Sequence, residues 1–424
     1  MIYVFNPQNK PQTNTSIMAE PIDALEIYTI VKTKYEVEFL DLDLNENLPI
    51  FGNDDIFIFI YDYIIPLHTE NVIDTMKTFL NSNNHKYSIL ISKQCFQYYN
   101  TFFDIGFNFL IYTNPEYTIN RLLNCIENND LESIENTFYY DNNILIKTKI
   151  NKEKIDYIIP ERNVDFTKYN DVRTIISSIG CNNKCQFCPT PYYQGNWNGR
   201  SATSIFEEIK YLTELGFDKI MFLDDNFTES KERIYDLCNL LHDNKIKYNF
   251  GCLSSINNYD YELFKTMYNV GFKWVHFGIE SADDNILKIM NKNQTNTKIL
   301  DVLKQIKDIG FKLRISLIID YPETTNESIN KTLKLIEKIK PNEIRLHYTA
   351  YRPFTPLYNK YKIKNNQYIH NNNVSKEQIK IKNKYIQYLK KLNYIIIDDQ
   401  NFNWNNNNDE FVASFVPIKY GRNW

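Results

Sequence analysis

Three cysteines, Cys181, Cys185 and Cys188, fall within eight consecutive residues at the spacing CxxxCxxC. Iron–sulfur clusters are held by thiolates, and such short spacings let one loop supply several ligands to one cluster. The nearest other cysteines, Cys125 and Cys238, lie far away in the sequence. Three thiolates leave one iron of a four-iron cluster open, and an open metal position is typical of a catalytic site. The motif therefore predicts a catalytic 4Fe–4S cluster.

A zinc site completed by one distant ligand, such as a His, is the structural alternative. The CxxC pair of Cys185 and Cys188 would suit zinc, but the CxxxC step before it does not. A disulfide framework is not expected, because the seven cysteines are odd in number and three of them are crowded together. The four remaining cysteines are predicted to be small buried hydrophobic residues: Cys95, Cys125, Cys238 and Cys252.

The elements that must position this motif form a run of alternating strand and helix patterns. Strands are predicted at residues 174–178, 219–223, 248–252, 274–279, 313–319 and 343–348. Helices are predicted between them at residues 204–215, 229–243, 285–290, 297–310 and 326–339. Six such units predict an open, partial (β/α)6 barrel of the TIM type. The motif follows the first strand, where Gly180 lets the chain turn, so it lies at the carboxyl end at which barrel enzymes place their chemistry.

The first part of the chain shows a second alternation. Strands are predicted at residues 2–5, 37–42, 56–61, 87–91 and 107–112, and helices at 19–34, 69–80 and 119–127. Apolar strands separated by amphipathic helices predict a doubly wound, Rossmann-like parallel sheet that is covered on both faces. Ligands of such sheets bind at the carboxyl ends of the strands.

The predicted fold class is α/β, with this N-terminal sheet, the partial barrel and a small C-terminal α+β extension. The predicted domains are residues 1–145 for the Rossmann-like domain, 146–170 for a linker, 171–358 for the barrel and 359–424 for an extension that acts as a lid. A hairpin is predicted around residues 141–143. The extension is predicted to contain a helix at 375–392, a strand at 394–398 and an Asn-rich loop at 401–408.

The CxxxCxxC motif with an aromatic residue, Phe187, before its last Cys resembles the radical S-adenosylmethionine (SAM) superfamily. Further matching segments follow in the expected order at residues 199–201, 222–227, 277–281, 319–324 and 351–358. Together they resemble the branch that carries an N-terminal cobalamin-binding domain. In that family the open iron chelates the amino and carboxylate groups of SAM. One electron from the reduced cluster then cleaves SAM to methionine and a 5′-deoxyadenosyl radical.

The resemblance implies roles for individual residues. The three cysteines of the motif would ligate the cluster, and Phe187 would pack near the adenine of SAM. Asp224 and Asp225 would contact the methionine amino group at the end of the second barrel strand. Glu280 and Ser281, at the end of the fourth strand, would bind the ribose hydroxyls.

Most of these positions also have a structural interpretation. Asp224 could cap the helix that follows its strand, and Glu280 with its neighbour could likewise be a strand-end cap. The resemblance implies that Arg314 meets the methionine carboxylate through a charge-assisted hydrogen bond, but an Arg in a barrel interior is also expected in a salt bridge. His276 and His347 fall on strand patterns and are predicted to be satisfied core histidines.

Cobalamin in the first domain is a weaker implication of the resemblance. The Asp-x-His-x-x-Gly motif that usually supplies the axial ligand is absent. The loop at residues 6–11 has no His, and His68 and His85 lie elsewhere. Radical members of the branch often leave the cobalt without a His ligand, so the missing His is a limited objection. Both a cobalamin-bound and a cobalamin-free domain stay open.

Three functional hypotheses follow. The first is a cobalamin-dependent radical enzyme that methylates an unactivated carbon or rearranges a small molecule or peptide. The second is a radical SAM enzyme whose first domain recognises substrate, with bulky side chains such as Phe57, Phe59 or Tyr61 where the corrin would lie. The third is a non-catalytic zinc- or cluster-binding module. No Cys occurs after residue 359, which predicts a single cluster.

The bulk composition limits the possible partners. The formal net charge is −4 and no long basic run is present, so nucleic acid is not expected. No segment approaches the roughly 20 apolar residues of a membrane helix, and the first residues do not resemble a signal peptide. A soluble, cytoplasmic protein is therefore predicted, with a small-molecule or peptide substrate and an external electron donor of the flavodoxin or ferredoxin type.

Overall fold

A computed structural model of the chain describes residues 1–7, 20–42, 48–61, 69–151, 153, 156–162, 164–165, 169, 172–246, 248–352, 354–361, 375–396 and 411–417. The chain divides into two units. The described residues up to Tyr169 belong to the first unit, and those from 172 onward belong to the second. Each unit has its own sheet and its own hydrophobic core.

The first unit is built on a seven-stranded sheet with the strand order β2-β1-β3-β4-β5-β6-β7. The first five strands of this order are parallel, and β6 and β7 are antiparallel. The order 2-1-3-4-5 is that of flavodoxin-like doubly wound sheets, so the predicted Rossmann-like sheet is confirmed. Its elements are β1 (Ile2–Asn6), α1 (Ile22–Lys32), β2 (Val37–Asp41), β3 (Ile56–Ile60), α2 (Thr69–Ser82), β4 (Tyr87–Ile91), α3 (Cys95–Asp104), β5 (Phe109–Ile111), α4 (Pro115–Glu127), β6 (Thr137–Asp141) and β7 (Ile144–Lys147).

Both faces of this sheet are apolar. In β1, Val4 packs among aliphatic side chains on the face that α1 and α4 cover, whereas Phe5 packs among aromatic rings on the face of α2 and α3. In β3, Ile58 and Phe57 divide between the two faces in the same way. Successive strand residues point to opposite faces, so a strand without polar residues must be covered on both sides.

The second unit contains six parallel strands that follow one another as β8-β11-β12-β13-β14-β15. The antiparallel strands β17 and β16 continue the sheet beyond β15, so that β8 and β16 are its two edges. The predicted open, partial barrel of six units is therefore confirmed. Among the described residues, β9 and β10 form a small separate ribbon.

The elements of the second unit are β8 (Arg173–Ile175), β9 (Ser178–Ile179), α5 (Thr190–Tyr193), β10 (Asn198–Gly199), α6 (Ala202–Glu214), β11 (Lys219–Phe222), α7 (Lys231–Asp243), β12 (Asn249–Ser254), α8 (Tyr261–Asn269), β13 (Phe272–Glu280), α9 (Asp284–Ile289), α10 (Asn296–Ile309), β14 (Lys312–Ile318), α11 (Asn326–Ile339), β15 (Glu343–His347), α12 (Pro356–Tyr361), α13 (Lys376–Lys391), β16 (Tyr394–Ile396) and β17 (Phe411–Pro417). Its core lies between the sheet and the helices, where Val275 and Phe277 of β13 and Ile315 of β14 are buried. The residues that alternate with them point to the barrel interior.

Most predicted elements lie within a few residues of those observed, and the hairpin predicted around residues 141–143 is formed by β6 and β7. The sequence pattern did not predict α3, which is rich in aromatic residues and departs from helical geometry at Tyr98. The Asn-rich loop at 401–408 lies outside the described residues. Within the described part of the chain, no helix has the length and apolar character needed to cross a bilayer.

Candidate active site

The loop that carries the three cysteines is closed at its base. Gly180, directly after β9, has a φ of +80°, and a Cβ atom there would lie 2.5 Å from the carbonyl oxygen of Asn196. The Gly180 amide donates a hydrogen bond to Oε1 of Gln194 at 2.9 Å, and the Cys181 amide donates one to the carbonyl of Gly195 at 3.3 Å. Only glycine fits this turn without a shift of the backbone, as the sequence predicts.

The middle of the loop is held by segments that follow β13 and β15. The Gln186 amide donates a hydrogen bond to the carbonyl of Met290 at 2.9 Å, just after α9. The Asn291 side chain donates one to the carbonyl of Lys184 at 2.7 Å. From α12, the Leu357 amide donates one to the carbonyl of Gln186 at 3.0 Å. These hydrogen bonds to the main chain of the loop fix its course, and with it the positions of the thiols.

Phe187 packs in a small apolar cluster beside this loop. Its ring meets that of Tyr321 edge-on, with the centroids 6.2 Å apart, and Met290 and Leu357 belong to the same cluster. A partly buried aromatic ring in this place suits the implied contact with the adenine of SAM, which stays a prediction.

The three thiols are electrostatic neighbours. Cys181 is buried, whereas Cys185 and Cys188 are partly exposed. Burial raises the pKa of all three thiols, that of Cys188 to about 12, while the charge of Lys292 opposes the effect of burial at Cys185. Because the thiolate is the form that binds a metal, cluster binding at these groups must displace their protons.

A single zinc ion and a four-iron cluster require different separations of their thiolate ligands. Among the described residues, no three His, Cys, Asp or Glu side chains are grouped closely enough to hold one metal ion. Sulfur ligands of one tetrahedral zinc ion lie about 4 Å apart, since each Zn–S bond is about 2.3 Å long. The thiolates of a four-iron cluster bind different irons and therefore lie further apart.

Glu280 ends β13 in an unusual conformation. Its φ is +64°, and the pairing of β13 with β14 is irregular between Gly278 and Glu280. Its carboxylate lies 3.4 Å from Nζ of Lys292, which also donates a hydrogen bond to the carbonyl of Gly278 at 2.6 Å. A residue other than Gly with positive φ costs on the order of 1–3 kcal/mol, and such strain is concentrated at functional sites. Burial raises the pKa of Glu280, and Lys292 opposes this rise.

Lys292 is the residue of this site that the sequence did not predict. It is buried, and burial lowers the pKa of its ammonium, but the charges of Glu280 and Cys185 outweigh burial and raise this pKa overall. Its two neighbours, Asn291 and Asn293, both have positive φ and form the turn that directs it inward. Lys is abundant in this chain, so nothing in the sequence marked this one.

Asp224 is a structural residue of the barrel. Its buried carboxylate accepts hydrogen bonds from the amide and the hydroxyl of Ser177, at 2.7 and 2.6 Å, and from the hydroxyl of Ser178. Arg233 lies 3.7 Å away and also donates to the carbonyl of Ser177. Asp224 thereby fixes the segment between β8 and β9, which leads into the cysteine loop.

Asp225 differs from its neighbour, because it is exposed and accepts a hydrogen bond from the hydroxyl of Thr190 at 2.8 Å. Thr190 follows Cys188 by two residues, and the charge of Asp225 raises the pKa of Cys181 and Cys188. The structure therefore brings Asp225, rather than Asp224, to the cysteine loop.

The last two predicted residues are engaged in protein contacts. The Ser281 hydroxyl accepts a hydrogen bond from the Asp283 amide at 3.1 Å, within the turn after β13. Arg314 forms a salt bridge with Glu343 on the neighbouring strand at 2.6 Å. In both cases the side chain makes a contact within the protein, as the structural interpretation expects. Binding of the ribose by Ser281 and of the methionine carboxylate by Arg314 stays a prediction.

The sequence profile of the radical SAM superfamily matches residues 175–336, which include the cysteine loop and Glu280. The barrel is a radical SAM domain. Such a domain implies a 4Fe–4S cluster and SAM as cofactors, so the predicted enzyme class and these two predicted cofactors are confirmed.

The curated relatives of this chain are similar to it over less than half of their own length. An uncharacterized methyltransferase of Pyrococcus horikoshii is 31% identical over 194 residues, which are 45% of this chain and 42% of that protein. The tRNA-2-methylthio-N(6)-dimethylallyladenosine synthase of Ehrlichia canis is 27% identical over 208 residues, or 45% of this chain and 46% of that protein. The chain therefore spans less than half the length of these relatives.

Two solved structures have a similar fold over most of the chain. The radical SAM methyltransferase TsrM from Kitasatospora setae has a TM-score of 0.68 at 14% identity, covering 84% of this chain and 74% of that one, and has been solved with cobalamin and a [4Fe-4S] cluster. The cobalamin-dependent SAM radical enzyme OxsB has a TM-score of 0.67 at 15% identity, covering 98% and 64%. The predicted likeness to the cobalamin-binding branch is thus confirmed at the level of the fold.

Among the described residues of the first unit, no His is placed to serve as an axial ligand of cobalamin. At the carboxyl edge of its sheet, Asn6, Asp41 and Ser92 are buried polar residues, and no described His stands there. His85 precedes β4 and stacks on Phe57 with the ring centroids 4.8 Å apart, which places it toward the opposite edge.

The bulky residues of the cobalamin-free hypothesis belong to the core of the first unit. Phe57, Phe59 and Tyr61 are buried on its aromatic face. Their size therefore serves the packing of the sheet, and it does not distinguish a cobalamin-bound from a cobalamin-free domain.

Proposed function

We propose that this protein is a radical SAM enzyme that uses one 4Fe–4S cluster, held by Cys181, Cys185 and Cys188, to cleave SAM reductively. The observation that supports this most strongly is the anchored loop, which presents three thiols beside the carboxyl ends of the barrel strands. When bound, a reduced cluster of this kind supplies the electron that splits SAM into methionine and a 5′-deoxyadenosyl radical.

The remaining site residues are proposed to orient SAM and exclude water. Phe187 would cover the adenine, and Asp225 would accept a hydrogen bond from the methionine amino group. Glu280 would contact the ribose, held in place by its ion pair with Lys292 at 3.4 Å. Each of these side chains lies on a segment that main-chain hydrogen bonds already fix, and this reduces the reorganisation needed on binding.

Anaerobic reconstitution with iron and sulfide tests the ligand assignment. The intact chain is expected to bind about four irons with the absorbance of a cluster. A variant with Cys181, Cys185 and Cys188 all replaced by Ala is expected to bind none, whereas the control Cys125→Ala, at a buried position of the first unit, retains the full content. Absence of a cluster in the intact chain would refute the proposal.

The substrate is proposed to be a small molecule or a peptide, which the enzyme methylates or rearranges with the help of cobalamin. The whole-chain likeness to two cobalamin-binding radical SAM enzymes supports this. The alternative is a cobalamin-free enzyme whose first unit recognises substrate. Cobalamin added to the reconstituted protein and followed through gel filtration separates the two, since about one corrin per chain is expected for the first hypothesis and none for the second.

The electron donor is proposed to be a flavodoxin or ferredoxin, and the location to be the cytoplasm. Nucleic acid is not proposed as a partner, because the formal net charge of the chain is −4. Reduction by a flavodoxin in place of a chemical reductant tests the first part. SAM cleavage at a comparable rate is expected.

A further inference from the structure

Lys292 follows two residues that are hydrogen-bonded to the cysteine loop on both sides of Cys185. The side chain of Asn291 donates a hydrogen bond at 2.7 Å to the carbonyl of the residue before Cys185. The carbonyl of Met290 accepts one at 2.9 Å from the amide of the residue after Cys185. These two contacts fix the place of the Lys292 turn relative to the thiol of Cys185.

The backbone and the side chain of Lys292 are both held. Its amide donates a hydrogen bond to the carbonyl of Leu287 at 3.0 Å, and its carbonyl accepts one from the side chain of Asn257 at 3.0 Å. Its ammonium donates one to the carbonyl of Gly278 at 2.6 Å and lies 3.4 Å from Oε1 of Glu280. The side chain of Lys292 is only 9% exposed, so its charge occupies a fixed and buried position.

The positive charge of Lys292 acts on the thiol of Cys185. Burial raises the pKa of this thiol, and the charge of Lys292 is the largest of the effects that lower it. The charge of Glu280 raises the same pKa by a smaller amount. In return, Cys185 and Cys188 raise the pKa of the Lys292 ammonium. Of the two members of the ion pair, the cation therefore acts more strongly on Cys185.

The other two thiols of the loop are contacted by neutral hydrogen-bond donors. The side chain of Asn183 donates to Sγ of Cys181 at 3.4 Å and lowers the pKa of that thiol. Thr190 lowers the pKa of Cys188 through its side chain and its amide. Neutral donors thus oppose the effect of burial at these two thiols, whereas a full charge opposes it at Cys185.

Two carboxylates act on the loop with the opposite sign. The charge of Asp225 raises the pKa of Cys181 and of Cys188, and that of Glu229 raises the pKa of Cys181. Asp225 is exposed, and solvent screens an exposed charge more strongly than a buried one. The buried charge of Lys292 is therefore expected to act on a bound cluster more strongly than that of Asp225.

The charges around an iron–sulfur cluster help to set its reduction potential. This potential depends on the net charge, on hydrogen bonds to the sulfurs and on exposure to solvent. Reduction adds one electron to the cluster, so a nearby cation stabilises the reduced form and a nearby carboxylate destabilises it. Such interactions are strong where protein replaces water around the charges.

We propose that Lys292 raises the reduction potential of the cluster, so that an external donor can reduce it, and that Glu280 limits this increase. In the step that Lys292 favours, the donor loses one electron and the cluster gains it, and no bond is formed or broken. The inference rests on the proposed function and deepens it, because it names a residue that controls the electron transfer on which SAM cleavage depends.

A redox titration of the reconstituted full chain, without SAM and at neutral pH, tests the proposal. The electron paramagnetic resonance signal of the reduced cluster gives the fraction reduced. Lys292→Met is expected to lower the equilibrium constant for reduction about tenfold or more, which is a fall of ~59 mV for a one-electron couple. Glu280→Gln keeps the cation and removes the carboxylate, so the potential is expected to rise.

Three further variants serve as controls. Lys292→Arg keeps the positive charge, so its potential should lie closer to that of the intact chain than to that of Lys292→Met. Lys304→Met makes the same change at an exposed position of α10 and should leave the potential unchanged. Asp225→Asn should raise the potential by less than Glu280→Gln, because its charge is exposed.

Opposite shifts for Lys292→Met and Glu280→Gln support the proposal, since loss of a merely structural contact would not give them. A Lys292→Met variant with the potential of the intact chain would overturn it, and so would shifts of the same sign in the two variants. If Lys292→Met assembles no cluster, Glu280→Gln decides, and an unchanged or lower potential contradicts the proposal.

The titration requires no turnover, so it separates this inference from the proposed function. A chain with opposite shifts that forms no 5′-deoxyadenosine from SAM loses only the proposed function. A chain that cleaves SAM but has the same potential in every variant loses only this inference. An intact chain that assembles no cluster would refute both.

Discussion

Each of the two large sheets of this protein has one apolar face, and the sheets differ in the side chains of the opposite face. In β3 of the first unit, Phe57 and Ile58 point to opposite faces and both are buried among apolar side chains. In β14 of the second unit, Ile315 is buried under the helices, but its neighbour Ser316 faces a polar interior and contacts His276. The first sheet is thus apolar on both sides, and the second has one face available for chemistry.

This difference indicates where each unit can bind a ligand. A sheet with two packed faces offers only its edges and loops, as doubly wound domains do at the carboxyl ends of their strands. An open barrel also offers its interior. The cysteine loop, Glu280 and Lys292 all belong to the second unit, so the chemistry is expected there.

The largest expected effect comes from truncations that compare the faces of the two sheets. Phe57→Ala and Ile58→Ala should each destabilise the first unit by about 3 kcal/mol or more, because both faces are core. In the second unit, Leu317→Ala should cost a similar amount, whereas Ser316→Ala, on the interior face, should cost about 1 kcal/mol. Hydrogen exchange followed by mass spectrometry in a denaturant series measures each unit separately. Equal costs for Leu317 and Ser316 would contradict the comparison.

A somewhat smaller effect is expected from the buried charge pair of the second unit. Asp224→Asn should destabilise the barrel by about 3 kcal/mol, since Arg233 would keep a buried charge without its partner. The matched variant Asp225→Asn, at an exposed position, should change stability by about 0.5 kcal/mol or less.

The double variant Asp224→Asn with Arg233→Met removes both charges and should recover part of the loss. Denaturant midpoints followed by Trp fluorescence suit this experiment, because no Trp precedes Tyr169 in the sequence and the described Trp197 and Trp274 belong to the second unit. An Asp224→Asn variant as stable as Asp225→Asn would show that the pair does not hold the strand end.

The smallest effect is a difference in pH dependence between the units. In the first unit, burial raises the pKa of Asp23 from 3.8 to about 7, so the folded unit favours the protonated carboxyl. The free energy of unfolding is therefore highest at low pH and falls as pH rises from about 4 to 7. In the second unit, burial lowers the pKa of His347 to about 3 from 6.5. The contribution of neutral His347 to the free energy of unfolding is fully present above about pH 6.5 and is lost as pH falls toward 3.

The two units are therefore expected to have opposite slopes between about pH 4 and 6.5, each group contributing at most about 1.4 kcal/mol per pH unit. Asp23→Asn should flatten the slope of the first unit, and His347→Gln should reduce that of the second, where His276 acts in the same direction. Exchange rates corrected for pH measure both. Slopes of the same sign in the two units would contradict the assignment.

Much of the fold could be predicted from the sequence because its strands are short apolar runs. The run at Ile56–Ile60 permits only a strand covered on both faces, and the six strands of the barrel show similar patterns. The helix α3 was missed because its aromatic residues carry no helical preference, and its place is set by packing against the sheet.

The site was predictable only where spacing along the chain determines it. The cysteines lie on one loop, so their grouping is visible in the sequence. The different roles of Asp224 and Asp225 depend on which way each side chain points at the end of a strand. Lys292 reaches Glu280 across a turn, and Arg314 finds Glu343 on the next strand. Such contacts exist only after the strands have assembled.

The central claim is that the second unit cleaves SAM with a cluster on its cysteine loop. Its most direct test is the yield of 5′-deoxyadenosine from SAM and dithionite under anaerobic conditions, for the reconstituted chain, the triple Ala variant at Cys181, Cys185 and Cys188, and Cys125→Ala. The intact chain and Cys125→Ala are expected to form 5′-deoxyadenosine, and the triple variant none. A fully reconstituted chain that forms no 5′-deoxyadenosine, or a triple variant that forms as much as the intact chain, would contradict the account.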